Sequence, residues 1–453
     1  MQIKEFLNSV CEQIKYKPIR EEISEEIECH INDLKEDFIK NGLQEQLAEE
    51  KAINQMGNAE EIGKQLNKIH KPKLDWKLLL IAVILLCFGF LVSFIKTNYT
   101  MAFEEKTNWM AKYLFFLIIG TILSIVIYFT DYRKILKYAN YIYVIASILI
   151  IYTTNCGTMR SGIPHLKIGE LVFSVSKIAV PLYIISFVGF LSNLNNKSKI
   201  KFITSNININ LIKTIILSII SMLLLYLIPS LTSALILGLT YLILGTIKII
   251  YYSKNKKNDL LKLWGIIAIL GILLGLYIIE ATPHILHRFE MVFNPEIDMQ
   301  GGGWTAVNRK QIIDTAQILG EAEDMSYAIT LFDEGTTYAF ISILAHYGWI
   351  VSIGLVISVI LLSIRLIINV IKLKDINGKL LIIGISCMFI LQSVFNILMN
   401  LNLWIEANFS LPFVSYGGSN LIINMASLAL ILSIYRRKDL LINSKDERKI
   451  EVV

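Results

Sequence analysis

Ten apolar runs, each about 20 residues long, recur between Trp76 and the end of the chain. A helix needs about 20 apolar residues to cross the roughly 30 Å of hydrocarbon in a bilayer. Apolar residues make up 54% of the 453 positions and charged residues 18%, as expected of a membrane protein. The predicted fold class is all-α, a polytopic membrane protein with about ten transmembrane helices. The predicted spans are residues 76–96, 111–130, 135–154, 173–193, 209–228, 231–252, 261–282, 338–364, 380–402 and 411–435.

Basic residues cluster in alternate connections between these runs. Because the cytoplasmic side of a membrane protein retains Lys and Arg, the clusters predict a multi-pass protein of the plasma membrane with both termini cytoplasmic. The same bias accounts for the net charge of +6, so we expect no nucleic-acid partner. The clusters are Arg133, Lys134 and Lys137; Lys197, Lys199 and Lys201; Lys254, Lys256 and Lys257; Lys372, Lys374 and Lys379; and Arg436, Arg437 and Lys438.

The residues that could bind a metal are scattered. The five cysteines lie in different segments without CxxC or CxxH spacing, which predicts neither a disulfide framework nor a metal site. His30 and His70 lack a second ligand at helical spacing, and we interpret them as surface or partly packed histidines. No metal-binding residue is assigned.

The region before the first apolar run is polar and separate. Its apolar residues follow the i, i+3, i+4, i+7 spacing of a helix face. Gly42 and Gly57 are placed to end helices, and Asn58 with Glu61 indicates a capping pair that opens a fourth helix. The predicted domains are a cytoplasmic helical prefix domain (1–73), a membrane domain (76–437) and a cytoplasmic tail (438–453).

The connection between the seventh and eighth runs, residues 283–337, is more than 50 residues long. Loops of this length are usually functional or disordered, and this one is not of low complexity. Three glycines precede Trp304, where they permit a turn that side chains would block. We predict a structured cap on the outer face of the membrane.

Three motifs in the membrane region form one pattern. LPFVSYGGSNLIINMASLALILSIYRRK (411–438) resembles the signature of the SEDS family (shape, elongation, division and sporulation), whose members include FtsW, RodA and SpoVE. The ten-span layout, NPEIDMQGGGW (294–304), FSVSKIAVPL (173–182) and Asn396 are similar to further family features. The resemblance covers roughly residues 76–440. Separately, EIECHINDLKEDFIKNG (26–42) resembles a prefix domain of several Firmicute membrane proteins, which implies a regulatory or docking module.

The resemblance to SEDS implies a role in peptidoglycan synthesis during division, shape maintenance or sporulation. Members polymerise glycan from lipid II, an undecaprenyl-linked precursor, beside a single-span transpeptidase (a class B penicillin-binding protein). The implied partners are therefore lipid II or a related precursor, this transpeptidase and membrane lipids. Glycosyl transfer needs a base for the acceptor hydroxyl and positive charge near the diphosphate. No cofactor is certain, and a divalent cation is a candidate.

The chain departs from the family at four positions, which leaves its status as an enzyme open. Thr337 stands where the family has its catalytic aspartate, and Lys177 where it has a glutamate. Ser230 and His165 replace an aspartate and a tryptophan.

Two carboxylates are candidates to replace the missing base. Asp333 and Glu334 lie about one helical turn before Thr337, so we predict them as catalytic residues. The alternative is a solvated acidic pair at the start of a helix.

The predicted substrate-binding residues are cations and the last-span motif. The cations have ordinary alternatives, because Lys177 can snorkel to the interface and loop cations are often only solvated. The motif, with its proline, glycines and hydroxyls, has a structural alternative as a tightly packed helix entry. The residues are Lys177, Arg288, Arg309, Lys310, Pro412, Ser415, Tyr416, Gly417, Gly418 and Ser419.

Two further functions compete with glycosyl transfer. A catalytically degenerate relative would keep the fold and act as a scaffold or as a binder of lipid-linked precursors. A transporter of a lipid-linked substrate would be expected to show inverted repeats with broken helices, and the sequence has no convincing internal repeat.

Overall fold

The structure is a computed structural model. The chain divides into two compact units, Met1–Asp75 with Ile434–Val453, and Trp76–Ser433. The structure describes residues 2–69, 73–99, 108–160, 163–169, 171–193, 209–228, 230–252, 257–258, 264–265, 290–292, 294–299, 301–327, 331, 336–373, 375–405, 408, 410–415 and 417–438.

Four helices build the N-terminal region: α1 (Ile3–Gln13), α2 (Arg20–Lys40), α3 (Glu45–Met56) and α4 (Ala59–Ile69). Their apolar faces enclose a core that includes Phe6, Val10, Ile23 and Ile31. Gly57 ends α3 with a φ of 92°, a backbone conformation that side chains disfavour. Gly42 and Gly57, which the sequence predicts as helix ends, both adopt a positive φ that ends the helical conformation.

Eight helices among the described residues are long and apolar enough to cross a membrane, which confirms an all-α polytopic membrane protein. Two helices of this unit are shorter: α7 (Tyr132–Lys137) and the apolar α10 (Ile209–Leu227), which also matches a predicted span. The predicted span at 261–282 lies largely outside the described residues. The eight helices are α5 (Trp76–Tyr99), α6 (Trp109–Phe129), α8 (Ala139–Cys156), α9 (Val175–Asn193), α11 (Leu231–Tyr252), α13 (Ala339–Ile371), α14 (Ile376–Asn400) and α15 (Gly418–Arg436).

The helices of the membrane unit differ in how deeply they are buried. α9 and α15 are mostly buried, whereas α6 is mostly exposed. α9 packs against α8, α10, α11 and α14, and α13 packs against α5 and α14. Residues on α9 and α15 are therefore the ones most enclosed by protein.

A small antiparallel sheet connects α8 to α9 and departs from the purely helical prediction. It contains β1 (Thr158–Arg160), β2 (Ile163–Ile168) and β3 (Leu171–Phe173), in that order. Thr158 pairs with His165, and Leu166 pairs with Phe173. The strands bring the chain back to the bundle directly before α9.

The long connection contains a compact turn followed by α12 (Trp304–Thr315). A single turn at Pro295–Asp298 precedes it. The Asp298 carboxylate accepts from the backbone N–H of Gly302 at 2.7 Å, and a side chain at Gly303 would collide with the Pro295 carbonyl. The glycines thus allow the predicted tight turn. After the turn, α12 packs against α13.

The last span begins later than predicted. The sequence places its start at residue 411, but α15 starts at Gly418, and residues 412–414 form a turn. Pro412 has no N–H to donate, and Phe413 has a φ of 66°, which an α-helix does not accommodate. The apolar character of this stretch therefore reflects a buried turn.

Candidate functional site

The backbone of Thr337 is fixed by two asparagines on one face of α14. Its carbonyl oxygen accepts from the amides of Asn396 at 2.9 Å and Asn400 at 3.2 Å. The two asparagines are four residues apart, one helical turn, and both are fully buried. The position before α13 is thus held in place by the last turns of α14.

Lys177 reaches the same place from the first turn of α9. Its ammonium donates to the side-chain oxygen of Asn408 at 3.0 Å. The Thr337 hydroxyl lies 3.4 Å from that oxygen and donates to it. Lys177 and Thr337, two of the positions that differ from the SEDS pattern, therefore donate to the same amide oxygen. We call Lys177, Thr337, Asn396, Asn400 and Asn408 the polar node.

The polar node carries a positive charge. Within the part of the chain that the structure describes, no carboxylate lies within 4.0 Å of the Lys177 ammonium. A neutral amide oxygen does not balance a cation, and an ionisable group in a membrane bundle marks a functional candidate. The arrangement can accept an anionic group, whereas a threonine hydroxyl cannot replace a carboxylate as a general base.

Arg309 is buried beside the node and ties the long connection to the end of α14. Its Nε donates to the side-chain oxygen of Asn402 at 2.8 Å, and the Asn402 amide donates to the Ala306 carbonyl at 2.8 Å. The guanidinium lies 5.7 Å from the centre of the Tyr338 ring, within reach of a cation–π contact. Only 1% of Arg309 is exposed, so the geometry makes it a clamp between α12 and α14.

The remaining candidates in the loops divide into two groups. Lys310 is exposed and lies 3.4 Å from the exposed carboxylate of Glu296. Asp333, Glu334, Arg288 and Tyr416 lie outside the described residues, and their assignments stay predictions.

Asp324, another acidic residue of the long connection, is held by its own loop. The Asp324 carboxylate accepts from the hydroxyl and the backbone N–H of Ser326 at 2.6 and 2.9 Å. The hydroxyl bond, followed by the N–H bond, lowers the pKa of Asp324 below its ordinary value. This carboxylate is therefore a weaker base than an ordinary aspartate.

The last-span motif packs inward and joins α15 to α9. The Ser415 hydroxyl accepts from the Leu411 N–H at 2.9 Å and closes the turn. The Ser419 hydroxyl accepts from the N–H of Ser174, immediately before α9, at 3.2 Å. A side chain at Gly418 would collide with the ring of Phe116. Pro412 is buried in the turn. The Gly417 carbonyl accepts from the Leu421 N–H at the start of the helix.

The sequence analysis missed Asn400, Asn402 and Asn408. Asparagines recur at 396, 400, 402 and 408, from the end of the predicted span 380–402 into the connection after it, and buried amides need hydrogen-bond partners. This recurrence of asparagines is the sequence pattern that could have indicated a buried polar site. Among the described residues, no group of three or more His, Cys, Asp or Glu side chains could hold a metal ion.

These features define a class of protein: a multi-pass helical membrane protein with a cationic polar node where α9 and α13 begin and α14 ends. The sequence model of the FtsW/RodA/SpoVE family, described as "Cell cycle protein", matches residues 75–440. The chain belongs to this family, which confirms the resemblance to SEDS proteins. The N-terminal region precedes the match.

Two relatives show how far the similarity extends. The chain is 28% identical over 166 residues to the probable peptidoglycan glycosyltransferase FtsW of Trichlorobacter lovleyi, covering 35% of this chain and 42% of that protein. It is 24% identical over 391 residues to the peptidoglycan glycosyltransferase MrdB of Escherichia coli K12, covering 83% of this chain and 97% of that protein. The match thus spans less than half of the first relative and nearly all of the second.

A solved structure shares the fold. The structure described as "Structural coordination of polymerization and crosslinking by a peptidoglycan synthase complex" superposes with a TM-score of 0.63 at 19% identity. It covers 81% of this chain and 98% of the compared chain. At this identity the likeness concerns the fold alone.

Proposed function

We propose that this protein acts in peptidoglycan synthesis during division, shape maintenance or sporulation, by glycosyl transfer from lipid II or a related undecaprenyl-linked precursor. The observation that carries the proposal is the cationic polar node in a chain of the FtsW/RodA/SpoVE family. Relatives in this family are named peptidoglycan glycosyltransferases. A diphosphate is the part of such a precursor that a half-buried ammonium recognises.

The proposed reaction assigns separate roles to the cation and to the carboxylates. Lys177 balances the diphosphate that leaves, while Asp333 or Glu334 takes the proton of the acceptor hydroxyl. Since four extended residues span at most about 14 Å, both carboxylates are tethered near Thr337, whose backbone the node fixes. A divalent cation is a candidate to assist the diphosphate.

The proposed partner is a single-span transpeptidase. A structure with the same fold comes from a peptidoglycan synthase complex that coordinates polymerisation and crosslinking, which supports a comparable assembly here. We also propose that both termini lie in the cytoplasm, because of the distribution of basic residues. The N-terminal helical domain would then act as a cytoplasmic regulatory or docking module.

A second candidate function has a specific observation in its favour. Thr337 occupies the position that corresponds to the family's acidic residue, and its hydroxyl is held by Asn408 in the node. A protein with this change could bind a lipid-linked precursor, or scaffold a synthase, without catalysis.

The test is polymerisation of lipid II by the purified full-length protein in liposomes, with and without its transpeptidase. We expect glycan from the wild type and a loss of about 10²–10⁴-fold in rate in Asp333→Asn or Glu334→Gln. Asp324→Asn is the control, because that carboxylate is occupied by Ser326. Glycan formation that survives both substitutions refutes the base assignment. Binding of lipid II without polymer, with the transpeptidase present, establishes the second candidate.

A further inference from the structure

α13 is broken at Gly348. This residue has φ 78° and ψ −174° inside an otherwise continuous helix. Such a backbone cannot continue the pattern in which each N–H bonds the carbonyl four residues earlier. The break therefore releases N–H and C=O groups on both sides of Gly348.

A short stretch of the long connection takes up the released groups. Residues 317–322, which we call the interfacial segment, run alongside the break and make four backbone hydrogen bonds with it. The bonds join Trp349 N to Gln317 O (3.0 Å), Ile350 N to Ile318 O (3.1 Å), Gly320 N to Tyr347 O (3.3 Å) and Ala322 N to Ala345 O (2.7 Å). These bonds pair four backbone groups of the segment with four backbone groups at the break.

The length of the helix after the break shows where Gly348 lies relative to the membrane. Residues 349–371 rise about 34 Å at about 1.5 Å per residue, enough to cross roughly 30 Å of hydrocarbon. Residues 339–346, on the other side of the break, are all buried. Gly348 therefore lies near the membrane boundary, on the side that carries the long connection.

The interfacial segment presents apolar side chains at this boundary. Ile318 is 74% exposed and Leu319 is 65% exposed. Beside them, Ile350 and Ile353 on the exposed face of α13 are 56% and 51% exposed. The backbone bond between Ile318 and Ile350 makes the two surfaces continuous, so they share one environment.

We propose that the interfacial segment inserts Ile318 and Leu319 among the lipid acyl chains at the membrane boundary. The occupant is lipid because the apolar surface continues onto the bilayer-facing side of α13. The four backbone bonds to α13 lower the cost of placing the segment at this boundary, because unsatisfied backbone polar groups are costly in hydrocarbon. The insertion anchors the long connection to the bilayer, and it does not depend on the proposed glycosyl transfer.

The test is the accessibility of a spin label on Leu319→Cys, in a full-length protein whose five cysteines are replaced by serine, reconstituted in bilayers. Collisions with oxygen report lipid and collisions with a water-soluble nickel chelate report water. The controls are Ile353→Cys for lipid and Glu323→Cys, an exposed charged site, for water. We expect the oxygen-to-nickel ratio at 319 to match that at 353 and to exceed that at 323 several-fold.

Two results would overturn the proposal. A ratio at 319 equal to that at 323 places the segment in water, and a label shielded from both reagents shows a protein partner in place of lipid. If the cysteine-free protein does not fold, a photo-crosslinking amino acid at 319 in the wild-type background replaces the label. Lipid adducts then support insertion, and adducts to protein or water alone contradict it.

Discussion

Lys177 shows how one side chain sets the chemistry of the polar node. Its ammonium is held by the Asn408 amide oxygen, a neutral acceptor. A cation removed from bulk water costs free energy that a neutral acceptor offsets only in part. The site therefore gains from a bound anion, and a diphosphate supplies several charged acceptors.

The residue-scale prediction is that Lys177→Met weakens binding of lipid II about 10- to 100-fold. The reason is the loss of a hydrogen bond to a charged group, worth about 1.5–3 kcal/mol, while methionine keeps most of the side-chain volume. The measurement is equilibrium binding to the reconstituted protein. Lys310→Met is the matched control, because Lys310 is exposed and pairs with exposed Glu296. Equal affinities for Lys177→Met and wild type would remove the anion-binding role.

At the scale of the element, α13 combines two tasks that a straight helix could not. Its buried first part begins beside Thr337 in the polar node, and its second part is long enough to span the bilayer. The break at Gly348 separates the two parts, and the interfacial segment fills the gap in hydrogen bonding. The local sequence supplies only a glycine. Hydrogen bonds from residues 317–322 of the same chain stabilise the break.

We predict that Gly348→Ala destabilises the membrane unit by about 1–3 kcal/mol. A Cβ at residue 348 would lie 2.6 Å from the Gln317 carbonyl oxygen, and the positive φ disfavours any side chain. Thermal unfolding in detergent measures the effect. Gly354→Ala on the same helix is the control, since its added Cβ would meet only Phe88 Cζ at 4.0 Å. If the unfolding midpoint temperature of Gly348→Ala is no lower than that of Gly354→Ala, the break does not require glycine at residue 348.

At the scale of the whole molecule, the basic residues predict how the protein is oriented in the membrane. The distribution of basic residues predicts both termini inside. The end of α8, after the third span, must then lie outside. Two exposed native cysteines report these sides: Cys29 in the N-terminal region and Cys156 at the end of α8.

The whole-molecule prediction is that a membrane-impermeant maleimide labels Cys156 and leaves Cys29 unlabelled in intact cells. Each cysteine is left as the only one in turn, and mass spectrometry measures the labelling. Permeabilised cells, in which both react, provide the control for reactivity. Labelling of Cys29 in intact cells would reverse the predicted orientation.

The sequence by itself determined the fold class and most of the spans. Whether a run crosses hydrocarbon depends on its own length and apolarity, so α5, α9 and α14 could be located without any partner. The same local logic placed the helix stop at Gly57.

Only the tertiary structure decided the composition of the site. Lys177 and Asn408 are 231 positions apart, and Thr337 and Asn408 are 71 apart. No local pattern encodes contacts between residues so distant, because they depend on how α9, α13 and α14 pack. The turn before α15 was likewise decided by the tertiary structure. Its residues are as apolar as the start of a helix, but they are buried as a turn in which Phe413 has a positive φ.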